Sequence, residues 1–128
     1  MQGNLRSHLS VARGLGSAHN GTRHWWAQRM SAFALIPLGL WMIISLFGVM
    51  TGSRDMVLDW LTSGFTTTVL VLSLIALFWH AKLGIEVVIE DYIHGQGNKL
   101  AALLFARGGL LLCAAISVLS VIKLHTSI

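Results

Sequence analysis

Three long apolar stretches divided by short polar breaks set the plan of this chain. The first runs from about Ser31 to Met50, SAFALIPLGLWMIISLFGVM, without a charged residue. A helix needs ~20 apolar residues to cross ~30 Å of hydrocarbon, and this stretch has that length. Pro37 inside it predicts a bend, which is tolerated in lipid where neighbouring helices cover the freed carbonyl. Thr51 to Gly64, with Gly52, Ser53, Arg54, Asp55 and Asp59, reads as a short polar loop. The second stretch runs from about Phe65 to Glu90, and HGQGNK, His94 to Lys99, reads as a Gly-rich turn. The third covers about Leu100 to Ile122 and ends in a tail, Lys123 to Ile128. The expected fold is an all-α membrane protein of three transmembrane helices (about 31–50, 65–90 and 100–122) in one domain, with no internal repeat.

Composition supports this pattern. Of 128 residues, 55% are hydrophobic and 11% charged, where a water-soluble domain carries about 25% charged residues. So much apolar surface finds cover only in lipid. Cys113 is alone and lies in an apolar stretch, which excludes a disulfide framework or a cysteine metal site and leaves a packing role. The net charge of +4 does not point to nucleic acid, because the basic residues form no dense patch.

Placement of the positives says more than their sum. With the N-terminus inside, Arg6, Arg13, Arg23, Arg29 and Lys99 fall on the inner side, and Arg54 and Lys123 on the outer side. That asymmetry favours an inside N-terminus and an outside C-terminus. Residues 1–29 are acid-free and Arg- and Ser-containing without an apolar core, which argues against a cleaved secretory signal. Two readings remain for them: a cytoplasmic tail held by its charge, or a short mitochondrial presequence. Trp25 and Trp26 sit where an interfacial aromatic belt would lie.

The second stretch carries the candidate chemistry. On a helix, Gly84, Val87 and Asp91 follow His80 at i+4, i+7 and i+11, and Ala76, Ser73, Val69 and Thr66 continue that face backwards. A stripe of small side chains with one imidazole in it admits something bulky and flat. His80 lies ten residues before Glu90, so it is ~15 Å deep at 1.5 Å per residue. An ionisable group at that depth is a functional hypothesis by default. Two readings stand: a histidine hydrogen-bonded to a neighbouring helix, or an axial ligand of a haem, whose iron takes a neutral imidazole. The small flanking face, Gly84 one turn on, and the lack of an acid–histidine chain across the membrane favour the haem. His8, His19, His24, His94 and His125 are not at that depth. A second histidine ligand would therefore come from another chain, and with haem present the sequence predicts a hetero-oligomer.

The pattern H-x-x-x-G-x-x-x-V-x-x-D-Y, formed by His80, Gly84, Val88, Asp91 and Tyr92, resembles the small membrane anchor (the small cytochrome b chain) of succinate dehydrogenase, respiratory complex II. The three spans, the segment from Gly21 to Arg29 and the DYIHG turn from Asp91 to Gly95 follow the family's order. The His80–Tyr92 block is the specific part, and the first and third spans are generic. Where the family often has aromatic or amide residues beside the ligand, this chain has Lys82 and Glu86.

By that resemblance His80 is one axial ligand of haem b, and the larger cytochrome b anchor subunit supplies the other within a shared helical bundle. Tyr92 hydrogen-bonds a carbonyl of ubiquinone, the substrate, and Asp91 supports that site or delivers protons. Arg29 and His24 pair with haem propionates or the quinone pocket, against a plainer reading as inward-snorkelling positives. Docking of the iron–sulfur subunit falls on the Tyr92 side, which the charge asymmetry independently places inside. FAD and iron–sulfur clusters belong to partner subunits, and nothing here resembles a dinucleotide fingerprint.

The resemblance implies a subunit that passes electrons to quinone in the respiratory chain and tricarboxylic acid cycle, without acting on succinate alone. Its place is the bacterial inner membrane or, alternatively, the mitochondrial inner membrane. For Asp91-Tyr92 the plainer reading is interfacial anchoring. Arg107 is expected to snorkel inwards, with a propionate or lipid headgroup as alternatives. Lys82 and Glu86, at i and i+4 away from the His80 face, are expected to pair with each other or with a partner. Two other functions stay open: a haem-free anchor or assembly subunit, and a small transporter protomer using Lys82 and Glu86.

Overall fold

The computed structural model describes residues 18–127, with side chains from Gly21 onward. Arg6, Arg13, His8, the side chain of His19 and most of the presequence reading lie outside the described residues. Four α-helices follow in order: α1 Ala18–Met50, α2 Arg54–Thr62, α3 Gly64–Tyr92 and α4 Gln96–Ser127. Among the described residues, α1, α3 and α4 are each long and apolar enough to cross a membrane. They exceed the apolar stretches themselves because polar first and last turns continue the same helix. α1 runs unbroken through Pro37.

Two expectations need correction. Residues 51–64 are not simply a loop, since Arg54–Thr62 forms α2. Ser53 caps it, accepting from the Met56 N–H at 3.4 Å, and Asp55 lies in its first turn. Both features favour a helix start. The turn after α3 is also shorter than HGQGNK. Only Ile93, His94 and Gly95 are non-helical, and α4 begins at Gln96.

α3 occupies the middle, packed against α1 on one side and α4 on the other, while α1 and α4 make no close backbone approach among the described residues. α2 touches all three long helices. It is fastened to α1 by Trp60, whose indole N–H donates to Ser45 Oγ and whose ring stacks on Trp41 at 6.4 Å. Phe65 at the start of α3 meets Trp41 edge-on at 6.1 Å.

Among the described residues Ser31, Thr66, Leu83 and Glu86 are buried, and all but Leu83 are polar. Large apolar side chains stand exposed around the helices, among them Phe33, Phe47, Leu72, Phe105 and Leu111. Helices that are apolar all round belong in lipid or against a partner. Polar contacts between helices therefore carry much of what fixes their register.

Candidate functional site

His80 lies on the α1 side of α3. Its Nδ1 is 2.9 Å from the hydroxyl of Ser31 on α1. Ser31 in turn donates to the Gln28 carbonyl one turn back, also at 2.9 Å. Gly84, one turn beyond His80, keeps α1 close, since a Cβ built there would sit 3.5 Å from Gln28 Nε2. Thr66, on the same stripe, is buried. The small face expected to admit a flat group thus also serves the α1–α3 contact. Of the two readings of His80, the hydrogen bond to a neighbouring helix is present, yet it uses one ring nitrogen. Among the described residues no hydrogen bond reaches Nε2.

A second polar cluster surrounds Glu86, which is 6% exposed. Arg107 of α4 donates from Nε to Glu86 Oε1 at 2.6 Å. Lys82, one turn earlier on α3, places Nζ 3.7 Å from Oε1, and His24 of α1 places Nε2 3.5 Å from Oε2. One carboxylate thereby engages groups from α1, α3 and α4. The expected Lys82–Glu86 pair is present, but Arg107 does not follow the snorkelling reading. Glu86 and Arg107 lie in adjacent antiparallel helices at similar depth, and pairing costs less than exposing either charge to hydrocarbon. Lys82 also lies over the Trp79 ring at 4.9 Å.

The remaining predicted residues are spread along the same end of the bundle. Arg29 is exposed, with its guanidinium 5.5 Å from the Trp25 ring. Trp25 and Trp26 meet edge-on at 5.3 Å and are half-exposed. Tyr92 ends α3 and is 79% exposed, with Asp91 exposed beside it. Tyr92 lies twelve positions after His80, ~18 Å along the axis, so the structure does not bring these two into one contact. Between α1 and α3 a cleft of about 430 Å³ is lined by Gly21, His24, Trp25, Gln28, Val87 and Glu90. Gln28 Oε1 is buried without a hydrogen-bond partner among the described residues.

Among the described residues no group of three His, Cys, Asp or Glu side chains could hold a metal ion. A single imidazole held through Nδ1, with no hydrogen bond to its second nitrogen among the described residues, does fit haem iron, which a neutral histidine nitrogen can ligate.

The contact of Ser31 with His80 and those of Arg107 and His24 with Glu86 are the ones that sequence reasoning missed. Ser31 stands at the polar edge of the first apolar stretch and gave no signal beyond being a hydroxyl. Arg107 did give one, as the lone charged residue of its span at a depth similar to Glu86 in the neighbouring one.

The fold and its two internal polar clusters define a multi-pass helical membrane protein whose apolar faces suit lipid and partner chains. The family model for the succinate dehydrogenase/fumarate reductase transmembrane subunit matches residues 3–122, and the chain belongs to that family. It is similar to the succinate dehydrogenase hydrophobic membrane anchor subunit of Paracoccus denitrificans, 34% identical over 75% of this chain and 74% of the relative. The corresponding subunit of Rickettsia bellii is 32% identical, over 75% of each chain. The succinate dehydrogenase membrane anchor subunit of Reclinomonas americana is 30% identical over 69% of this chain and 76% of the relative. No solved structure matches the chain. The protein is thus a membrane anchor subunit of complex II, associated with the membrane and with other subunits of that enzyme.

Proposed function

We propose that this anchor contributes one axial ligand, His80, to a b-type haem and part of a ubiquinone-reduction site at the Tyr92 end of α3. The observation that carries the reading is the state of His80. Its ring is held from α1 through Nδ1, and Nε2 is left for a metal at mid-helix depth. The second ligand comes from the larger anchor subunit. When bound, the haem supplies a one-electron redox centre beside the quinone site.

The chain's own residues then act as follows. Tyr92, exposed at the helix end, donates its phenol O–H to a quinone carbonyl oxygen. Reduction of quinone to quinol takes up two protons with two electrons, and Asp91 beside it relays protons from the aqueous side. The cleft lined by His24, Gln28 and Glu90 opens near the same helix ends and gives space for a head group. Arg29 and His24 supply positive or hydrogen-bonding character for propionates or for the quinone pocket.

Electrons arrive from the iron–sulfur subunit, which receives them from the FAD-bearing flavoprotein subunit where succinate is oxidised. The N-terminus faces the cytoplasm of a bacterial inner membrane, or the matrix in a mitochondrion. The test is a reduced-minus-oxidised spectrum of the purified complex. His80→Ala removes the b-type α-band while the assembled complex persists, and an unchanged band in that variant refutes the ligand role.

A further inference from the structure

We infer that Ser31 is a positioning residue for His80, setting both the tautomer and the strength of the ligand that α3 offers to iron. The inference rests on the haem reading above. Ser31 is 8% exposed, so solvent does not compete for its hydroxyl. That hydroxyl has one proton, and it goes to the Gln28 carbonyl oxygen at 2.9 Å, the usual back-bond of a helical serine. The oxygen facing His80 Nδ1, also at 2.9 Å, then acts as acceptor, and Nδ1 carries the ring proton. Nε2 is left with its lone pair, the form in which a neutral imidazole ligates a metal.

The bonds run in one direction, from Nδ1–H to Oγ and from Oγ–H to the carbonyl, and each polarises the next. A ring whose far N–H is so engaged is fixed in rotation and is a more basic ligand, which favours ferric over ferrous iron. Ser31 does not touch the iron. It acts through His80, from a different helix, so the α1–α3 packing at Gly84 becomes part of the electronic environment of the metal.

The test uses the whole purified complex carrying Ser31→Thr, Ser31→Val, Ser31→Ala or His80→Ala. Three quantities are read: haem per complex, the midpoint potential by redox titration, and the low-spin ferric g-values. Ser31→Thr keeps the hydroxyl and matches the wild type. Ser31→Val, of nearly the same shape as threonine, and Ser31→Ala raise the potential, shift the g-values and weaken haem retention by about 10- to 100-fold. If Ser31→Ala does not assemble, the Thr and Val variants decide, since they differ in the hydroxyl and hardly in volume. Potentials and g-values unchanged in Ser31→Val overturn the inference, as does a shift in Ser31→Thr equal to that in Ser31→Val. A full b-type spectrum in His80→Ala overturns the haem reading itself.

Discussion

Glu86→Gln is the substitution that most directly probes how the three long helices are held together. The change keeps shape and one acceptor but removes the charge that Arg107, Lys82 and His24 face at 2.6, 3.7 and 3.5 Å. No other acid among the described residues lies within ion-pair distance of Arg107 or Lys82. Each would be left as an uncompensated cation within a membrane helix, at about 2.5–3.5 kcal/mol by insertion scales. Breaking a buried pair by removing one partner costs about 3–5 kcal/mol.

Both cations are partly exposed, Arg107 by 51% and Lys82 by 34%, and long side chains recover part of the loss by snorkelling. About 2–3 kcal/mol is therefore expected, by discounting the cost of a broken buried pair for that recovery. Each 1.4 kcal/mol is about tenfold, so that loss shortens the half-life of the assembled complex in mild detergent by about 30- to 140-fold, provided the contact breaks before the rate-limiting step.

The assay is heat inactivation followed by native gel, run as a cycle with Arg107→Gln and the double variant. Removing both charges leaves fewer unpaired groups, so the double variant should fall short of the sum by about 1–2 kcal/mol, within the range seen for residues in direct contact. Additivity within about 0.5 kcal/mol would refute the pairing and leave Arg107 as a snorkelling residue.

At Gly84, alanine should be close to neutral because its Cβ meets only an ordinary contact with Gln28, whereas Gly84→Leu should cost about 1–3 kcal/mol by overpacking. Gly84→Leu should also lower haem content, since α1 carries Ser31; a thermal scan with a haem assay checks both effects. Tyr92→Phe should depress quinone reduction about 10- to 100-fold while succinate oxidation by an artificial acceptor continues, in keeping with loss of one positioned donor or proton group. Equal loss of both activities would mark Tyr92 as an assembly residue.

The helical plan was legible because lipid leaves few solutions: about 20 predominantly apolar residues read as a spanning helix, and three such stretches, the second and third carrying a few charges, make three helices. What escaped was set by short-range polar chemistry. Arg54–Thr62 reads as polar loop by composition, and its helix depends on the Ser53 cap and on Trp60 reaching Ser45 and Trp41. His80 was legible as the polar ring of its span, but its partner was not. Ser31 and His80 are 49 positions apart, and no periodicity relates residues on different helices. Glu86 carried half a signal, since Lys82 at i−4 explained it locally and concealed Arg107 and His24.

If His80 offers Nε2 to a haem iron while Ser31 holds Nδ1, a density map of the assembled complex from its native membrane will show both at once. The expected map has a porphyrin against the free edge of that ring, with iron bound at Nε2 and the serine hydroxyl behind Nδ1. A ring surrounded by hydrocarbon alone, or bound through the opposite nitrogen, would contradict it.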